Sequence, residues 1–94
     1  MILHKIYLCR QGSDVPTDER FQHVSTFTED QLGEALDSAG RIADAFCRMF
    51  NGLPTVVSLG EAKMYHETKR TWLLKTEQGR KIAYIHVVTE TQGK

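Results

Sequence analysis

The chain has 94 residues and no net charge at pH 7, with 40% hydrophobic and 26% charged residues. Chains of this length typically form one compact domain, so we expect a single domain over residues 1–94. The composition excludes a disordered chain, and no apolar run approaches the ~20 residues that a membrane-spanning helix needs. We therefore expect a cytoplasmic protein with no membrane partner, in which Cys9 and Cys47 are reduced core residues.

Charge is unevenly distributed along the chain. Residues 1–60 carry five Lys/Arg against eight Asp/Glu, and residues 61–94 carry seven against four. A neutral total disfavours strong nonspecific binding of nucleic acid, because that binding scales with the number of phosphates neutralised. The basic C-terminal third keeps a local interaction with nucleic acid open.

The N-terminal part of the chain predicts two strands followed by a long helix. Residues 2–9 form an apolar run, and residues 21–27, FQHVSTF, alternate between apolar and polar side chains. Thr28 is a suitable N-cap, and Gln31 can reach back to it in a capping box. Because residues 51–54, NGLP, form a stop signal, we expect the helix over residues 29–50.

One face of this helix is apolar and is expected to lie against the core. Its stripe consists of Leu32, Leu36, Ala39, Ala43, Phe46 and Phe50, widened by Ala35, Ile42 and Met49. Gly33 and Gly40 leave a flat strip on the flank, where either a strand of the same chain or a partner could approach closely.

The C-terminal part predicts three strands, over residues 55–66, 71–76 and 81–90, with Gly79 in the last turn. Residues 81–90, KIAYIHVVTE, are apolar on both faces, which is typical of a central strand. An alternative stays open over residues 58–70, where a capping pattern also permits a short helix. The elements predict an α+β fold with one long helix on a mostly antiparallel sheet of four to five strands.

The end of the first strand resembles a phosphate-binding loop. The segment IYLCRQG, with similar pieces near residues 20–22 and 28–35, resembles the N-terminal part of the histidine phosphatase, or phosphoglycerate mutase-like, superfamily over residues 2–46. The resemblance implies a phosphate-binding role for Arg10 and places Gln11 where that family has its nucleophilic histidine. Because a carboxamide cannot attack phosphorus as imidazole does, the implied protein is a catalytically inactive relic that retains phosphate-ligand binding.

Other enzymatic chemistry is not indicated. The four histidines and two cysteines show no zinc-ligand spacing, so we expect no metal and no cofactor. A buried thiol is inert as a nucleophile, which argues against a Cys-His pair. We expect a protein that is not an enzyme.

Nucleic-acid binding is one alternative function. Basic residues interleaved with Tyr65, His66 and Trp72 are of the types that hold single strands by stacking and phosphate contacts. The candidate residues are Lys63, Lys69, Arg70, Lys75, Arg80 and Lys81.

Binding of a protein partner by occlusion of a surface is the function that we favour, with a monomer and a homodimer equally compatible. The candidate contacts are the acidic loop with Asp14, Asp18 and Glu19, and the segment with His66, Lys69, Arg70 and Trp72. In size, polarity and absence of motifs the chain resembles small phage or mobile-element inhibitors of host machinery, such as anti-CRISPR proteins.

Overall fold

The computed structural model describes residues 1–10, 21–49 and 54–91. The elements in chain order are β1 (Ile2–Arg10), β2 (Gln22–Thr28), a 3₁₀ turn (Glu29–Gln31), α1 (Leu32–Arg48), β3 (Thr55–Met64), β4 (Glu67–Lys75) and β5 (Lys81–Thr91). The five strands form one antiparallel sheet in the order β2-β1-β5-β4-β3, and α1 packs on one of its faces. The predicted α+β class, with one helix on a sheet of up to five strands, is confirmed.

The main core lies between α1 and the middle of the sheet. Small side chains form the centre of the helix face, because Ala35, Ala39 and Ala43 are all buried against the strands. Their small size lets the helix backbone approach the sheet closely. The strands contribute Ile6, Leu74, Ile85 and Val87, each almost completely buried. Since β5 is the middle strand and is buried on both faces, its predicted central position is confirmed.

The sheet face opposite α1 has a smaller apolar cluster. Cys9, Leu73 and Tyr84 are buried there, and Phe21 packs against them. The prediction that Cys9 is a buried core residue is therefore confirmed, whereas Cys47 is half-buried, with its thiol 3.6 Å from the carbonyl oxygen of Pro54.

The helix begins as its sequence predicts but ends earlier. The Thr28 amide donates to the Gln31 side chain at 3.0 Å, which is the backward contact of a capping box. The first predicted turn is a 3₁₀ turn, and α1 ends at Arg48. Met49 is 70% exposed, so its predicted place in the core is wrong: it lies after the last helical residue. Phe50 lies outside the described residues.

The strand predictions hold with shifted bounds. Residues 58–70 belong to the hairpin of β3 and β4, so the short-helix alternative is wrong. Strand β4 begins at Glu67 rather than at position 71, because it pairs with β5 along its whole length. Gly79, in the turn before β5, has a φ of 85°, which confirms its predicted role.

A buried histidine connects the sheet to the start of the helical segment. The Nε2 atom of His4 lies 3.0 Å from the Glu29 carbonyl oxygen, and its Nδ1 atom lies 2.9 Å from the Thr89 hydroxyl. Because a carbonyl oxygen only accepts, Nε2 carries the proton in this contact. His4 is therefore a structural residue that fixes α1 over β1 and β5.

Candidate functional site

The helix lies on one face of the sheet and is displaced towards the β2 edge of that face. On that face it contacts β2, β1 and β5 and buries Leu74 of β4, but it leaves the outer strand β3 largely exposed. An apolar groove of about 150 Å³ therefore lies between α1 and the outer strands. It is lined by Leu36, Ala39, Gly40 and Ala43 from α1 and by Val56, Trp72 and Ile85 from the sheet.

Gly40 is the reason that the groove is open on its helical side. A Cβ atom added at Gly40 would meet no atom within 4 Å. The same holds for Gly33, which lies about two helical turns earlier. The expected flat strip on the helix flank is present, but no described strand packs against it, so the explanation by internal strand packing is wrong. Trp72 forms part of the groove floor, where it is half-buried against the main core.

The edge of the sheet beside this groove is strand β3. It pairs with β4 on one side and has no other neighbour among the described strands. A β-bulge interrupts this pairing between Ser58 and Gly60, and Gly60 has a φ of 99°. The Gly60 amide donates to the Ser58 hydroxyl at 3.3 Å, which closes the bulge. The strand is thus divided into a regular segment, residues 55–58, and a second segment towards the β3–β4 turn.

Exposed apolar side chains are concentrated on this edge. Seven large hydrophobic residues are exposed in the described part of the chain, and four of them belong to β3 or the turn that follows it. These four are Val56 (41% exposed), Leu59 (51%), Met64 (69%) and Tyr65 (92%), and we call them together the β3 surface. They follow one edge of the sheet, with Val56 opposite the buried Leu74 on the helix-side face. Met64, opposite Glu67, lies at the other end of β3 and faces away from α1. An edge strand with several exposed apolar side chains is a candidate interaction site.

Charged residues at the outer end of β3 are paired with each other. The Nε atom of Arg70 lies 3.0 Å from a Glu61 carboxylate oxygen, and Arg70 also donates to Thr89 at 3.5 Å. Lys63 lies 3.6 Å from the other oxygen of the same carboxylate. Arg70 is therefore held against the helix-side face of the sheet rather than projecting freely from it.

The structure brings together part of the predicted partner-binding set. His66 lies in the turn beside Tyr65, with ring centroids 4.1 Å apart, next to the β3 surface. Trp72 and Arg70 lie on the helix-side face, whereas Lys69 alternates to the opposite face. Asp14, Asp18 and Glu19 lie outside the described residues. The sequence analysis named Tyr65 only as an aromatic residue of the nucleic-acid alternative. It missed Val56, Leu59 and Met64, for which the only signal was an apolar residue at several positions of a strand now seen to be an edge.

The predicted nucleic-acid residues are dispersed over the sheet. Lys63 and Arg70 lie near the β3–β4 turn, and Lys69 lies on the other face. Lys75, Arg80 and Lys81 lie around the β4–β5 turn at the far end of the strands. Strands rise about 3.4 Å per residue, so the length of β4 places the two ends roughly 27 Å apart. This arrangement does not form one basic patch among the described residues.

A second cavity lies on the sheet face opposite α1. It has a volume of about 210 Å³ and is lined by Tyr7, Phe21, Glu67, Lys69, His86, Val88 and Glu90. Phe21 stacks on His86 at 3.9 Å between ring centroids, and the Thr71 hydroxyl lies 2.8 Å from the His86 ring. The two carboxylates that line the cavity, Glu67 and Glu90, are balanced by two lysines at this face, Lys69 and Lys5. The ammonium group of Lys5 lies 2.8 Å from a carboxylate oxygen of Glu90. The cavity therefore has no net charge that would attract a phosphate.

Arg10, the predicted phosphate ligand, ends strand β1. Its guanidinium carbon lies 5.6 Å from the centroid of the Phe46 ring, within the range of a cation–π contact. This contact gives Arg10 a structural role in fixing the end of β1 to α1. Gln11 lies outside the described residues, and phosphate binding by Arg10 stays a prediction.

Within the described ranges, no group of three or more His, Cys, Asp or Glu side chains is placed to hold a metal ion. No helix of the described part is long and apolar enough to cross a membrane. Comparisons of the chain with family models, curated proteins and solved structures found no match.

Proposed function

We propose that this chain is a non-enzymatic protein-binding module that acts by occluding a surface of a macromolecular partner. The observation that carries the proposal is the concentration of exposed apolar side chains on one edge of the sheet, from Val56 to Tyr65. Burial of apolar area is the main favourable contribution to most protein–protein association. Tyr65 and Trp72 add aromatic side chains of the type that dominate binding energy at interfaces.

The partner contact is expected on the β3 surface, the adjoining groove and the turn with His66. The paired charges of Glu61, Lys63 and Arg70 lie within this edge, between Leu59 and Met64. Protein interfaces combine apolar contacts with polar and charged groups, so these charges belong to the expected contact. The chain resembles small phage or mobile-element inhibitors of the anti-CRISPR kind in size, polarity and absence of motifs, so the partner that we propose belongs to host machinery.

Site-specific cross-linking tests the position of the contact. A photo-reactive amino acid placed at Met64 should form a covalent adduct with a host protein in cells, because this side chain is 69% exposed on the β3 surface. The matched control is Val24, which is 47% exposed on the opposite edge strand and should give no adduct. Equal adducts at both positions, or adducts at Val24 alone, would contradict the proposal.

A pair of matched substitutions tests the energetics of the same contact. Val56→Glu should weaken capture of the cross-linked partner by at least about 10-fold, because it places a charge within the apolar contact area. Val24→Glu, at a similarly exposed valine of the other edge, should leave the affinity unchanged. Melting temperatures of both variants should agree with each other, which separates lost binding from lost folding.

A CRISPR-interference assay tests the narrower inhibitor role. Expression of the chain should raise the transformation efficiency of a targeted plasmid, and the Val56→Glu variant should lose this effect. Unchanged interference would remove the anti-CRISPR role while leaving the binding module to be tested by cross-linking.

A further inference from the structure

We infer that the partner contributes an extended segment that adds to β3 as a sixth strand and places one apolar side chain in the groove beside Gly40. This inference rests on the proposed function, because it specifies how the partner binds the same side of the molecule. The occupant is a polypeptide strand with an aliphatic or aromatic residue and basic residues two positions away from it.

The strand conformation of the occupant follows from the edge of β3. Residues 55–58 pair regularly with β4, from Thr55 opposite Lys75 to Ser58 opposite Trp72. The outer side of this segment carries backbone donors and acceptors that no other described strand satisfies. Unpaired groups with this spacing are matched by another extended chain, which gains affinity from main-chain hydrogen bonds.

The apolar side chain follows from the position of the groove. Val56 belongs both to the open edge segment and to the groove wall, so the groove begins directly beside the added strand. Alternate side chains of a sixth strand would project to the helix-side face, towards Trp72 and Gly40. A volume of about 150 Å³ is large enough for a leucine or phenylalanine side chain, since an apolar protein cavity of about this size binds benzene.

The basic residues follow from the charges on the groove's helical rim. Asp37 and Asp44 lie three residues before and four residues after Gly40, and therefore share its flank of the helix. Burial raises the pKa of the Cys47 thiol, and the carboxylate of Asp44 nearby raises it further. Arg41 and Arg48 follow these two aspartates by four residues each and lie further round the helix from Gly40 than the aspartates do. Two carboxylates nearest the opening complement lysine or arginine on the incoming strand.

The intrinsic fluorescence of Trp72 reports occupancy of the groove, because it is the single tryptophan of the chain and lines the groove floor. The probe is a short capped peptide with a central leucine, lysines two positions to either side and threonines elsewhere. Titration should give a saturable change in Trp72 fluorescence. Replacing the peptide leucine by serine should weaken binding at least ~10-fold, the loss expected for one buried leucine.

A leucine side chain added to the helix at Gly40 should fill the groove, and the same change at Gly33 provides the matched control. Gly40→Leu should keep or raise the melting temperature, since a side chain there meets no atom within 4 Å, and should weaken the peptide at least ~10-fold. Gly33→Leu adds the same side chain to the same flank outside the groove and should bind the peptide like the native chain. Peptide binding that is equal in both variants would overturn the assignment of the groove.

Amide hydrogen exchange tests strand addition independently of the groove. Saturating peptide should slow exchange of residues 55–58 on the outer edge of β3 and leave β2 unchanged. Peptide that quenches Trp72 without protecting β3 would overturn the strand mode.

Two further outcomes would also overturn the inference. A change in Trp72 fluorescence with protein concentration alone, together with a dimer mass in sedimentation, would assign the surface to a second copy of the chain. No binding of the peptide, combined with cross-linking at Met64, would remove the strand mode and keep the proposed function. Absence of cross-links at Met64 would instead remove the proposed function itself.

Discussion

Two glycines of α1 stand in open space, and this determines how they respond to substitution. Gly40→Ala should raise the free energy of unfolding by about 0.5–1 kcal/mol, because alanine has the higher helix propensity and the added methyl group meets nothing. Gly33→Ala should give a smaller gain, since it lies in the first turn of α1. Urea denaturation measures both. A destabilised Gly40→Ala variant would contradict an open groove.

The ion pair of Lys5 and Glu90 predicts a specific pH dependence. The pKa of Lys5 is raised above its ordinary value of 10.5, first because its ammonium donates a hydrogen bond to Glu90. A raised folded-state pKa stabilises the fold fully below pH 10.5, and the stabilisation is lost as pH rises above that value through the folded-state pKa. Lys5→Met should therefore lower the free energy of unfolding by about 0.5–1 kcal/mol at pH 7, and by progressively less above pH 10.5.

The measurement is urea denaturation of both proteins across this pH range. Lys81→Met, at an exposed position of β5, provides a control for loss of a lysine. A cost of Lys5→Met that is independent of pH would show that packing of the lysine stem, rather than the ion pair, is lost.

At the scale of elements, the bulge in β3 depends on one glycine. Gly60→Ala should destabilise the fold by about 1–2 kcal/mol, because a φ of 99° is strained for a residue with a Cβ atom. The expected change in the free energy of unfolding has the opposite sign to that of Gly40→Ala, although both sites offer free space for the methyl group. Thermal denaturation of the two variants checks this contrast. A Gly60→Ala variant of native stability would indicate that the bulge rearranges at no cost.

Elements defined by short-range signals were predictable from the sequence. The contact of Thr28 with Gln31, the positive φ of Gly79 and the apolar faces of β5 all depend on residues close in the chain. The early part of β4 was not predictable, because Glu67 and Lys69 have weak strand propensity and are extended by pairing with β5.

The candidate site was less predictable than the fold for a related reason. Whether Gly40 meets a strand or open space depends on the lateral position of α1 over the sheet. That position follows from pairings such as that of Ile6 with Val87, which join distant parts of the chain. Trp72 was identified from its residue type, but Val56 and Leu59 became candidates only when β3 proved to be an edge strand.

At the scale of the whole molecule, stability should fall from the middle of the sheet to its β3 side. The molecule measures 46 × 25 × 20 Å, and its smallest dimension corresponds to one sheet with one helical layer at about 10 Å each. Strand β5 is paired on both sides and buried on both faces, whereas β3 is mostly exposed. Residues 82–88 should therefore exchange their amide hydrogens most slowly and residues 59–64 most rapidly among the strand residues.

Native-state hydrogen exchange by NMR measures this order directly. Protection of residues 59–64 equal to that of β5 in the isolated protein would contradict it. Such a result, if it depended on protein concentration, would indicate that another molecule already covers the edge.

The bulge between Ser58 and Gly60 also affects what many copies of this protein do at high concentration. A sheet whose two outer strands, β2 and β3, each have an outer edge that no other described strand pairs with can in principle extend from copy to copy into an open-ended filament. The bulge divides the edge of β3 into two short regular segments, residues 55–58 and 60–64, so a neighbouring copy cannot pair regularly along the whole strand. The irregularity therefore opposes such growth, while the first segment alone is long enough for the extended partner that we propose.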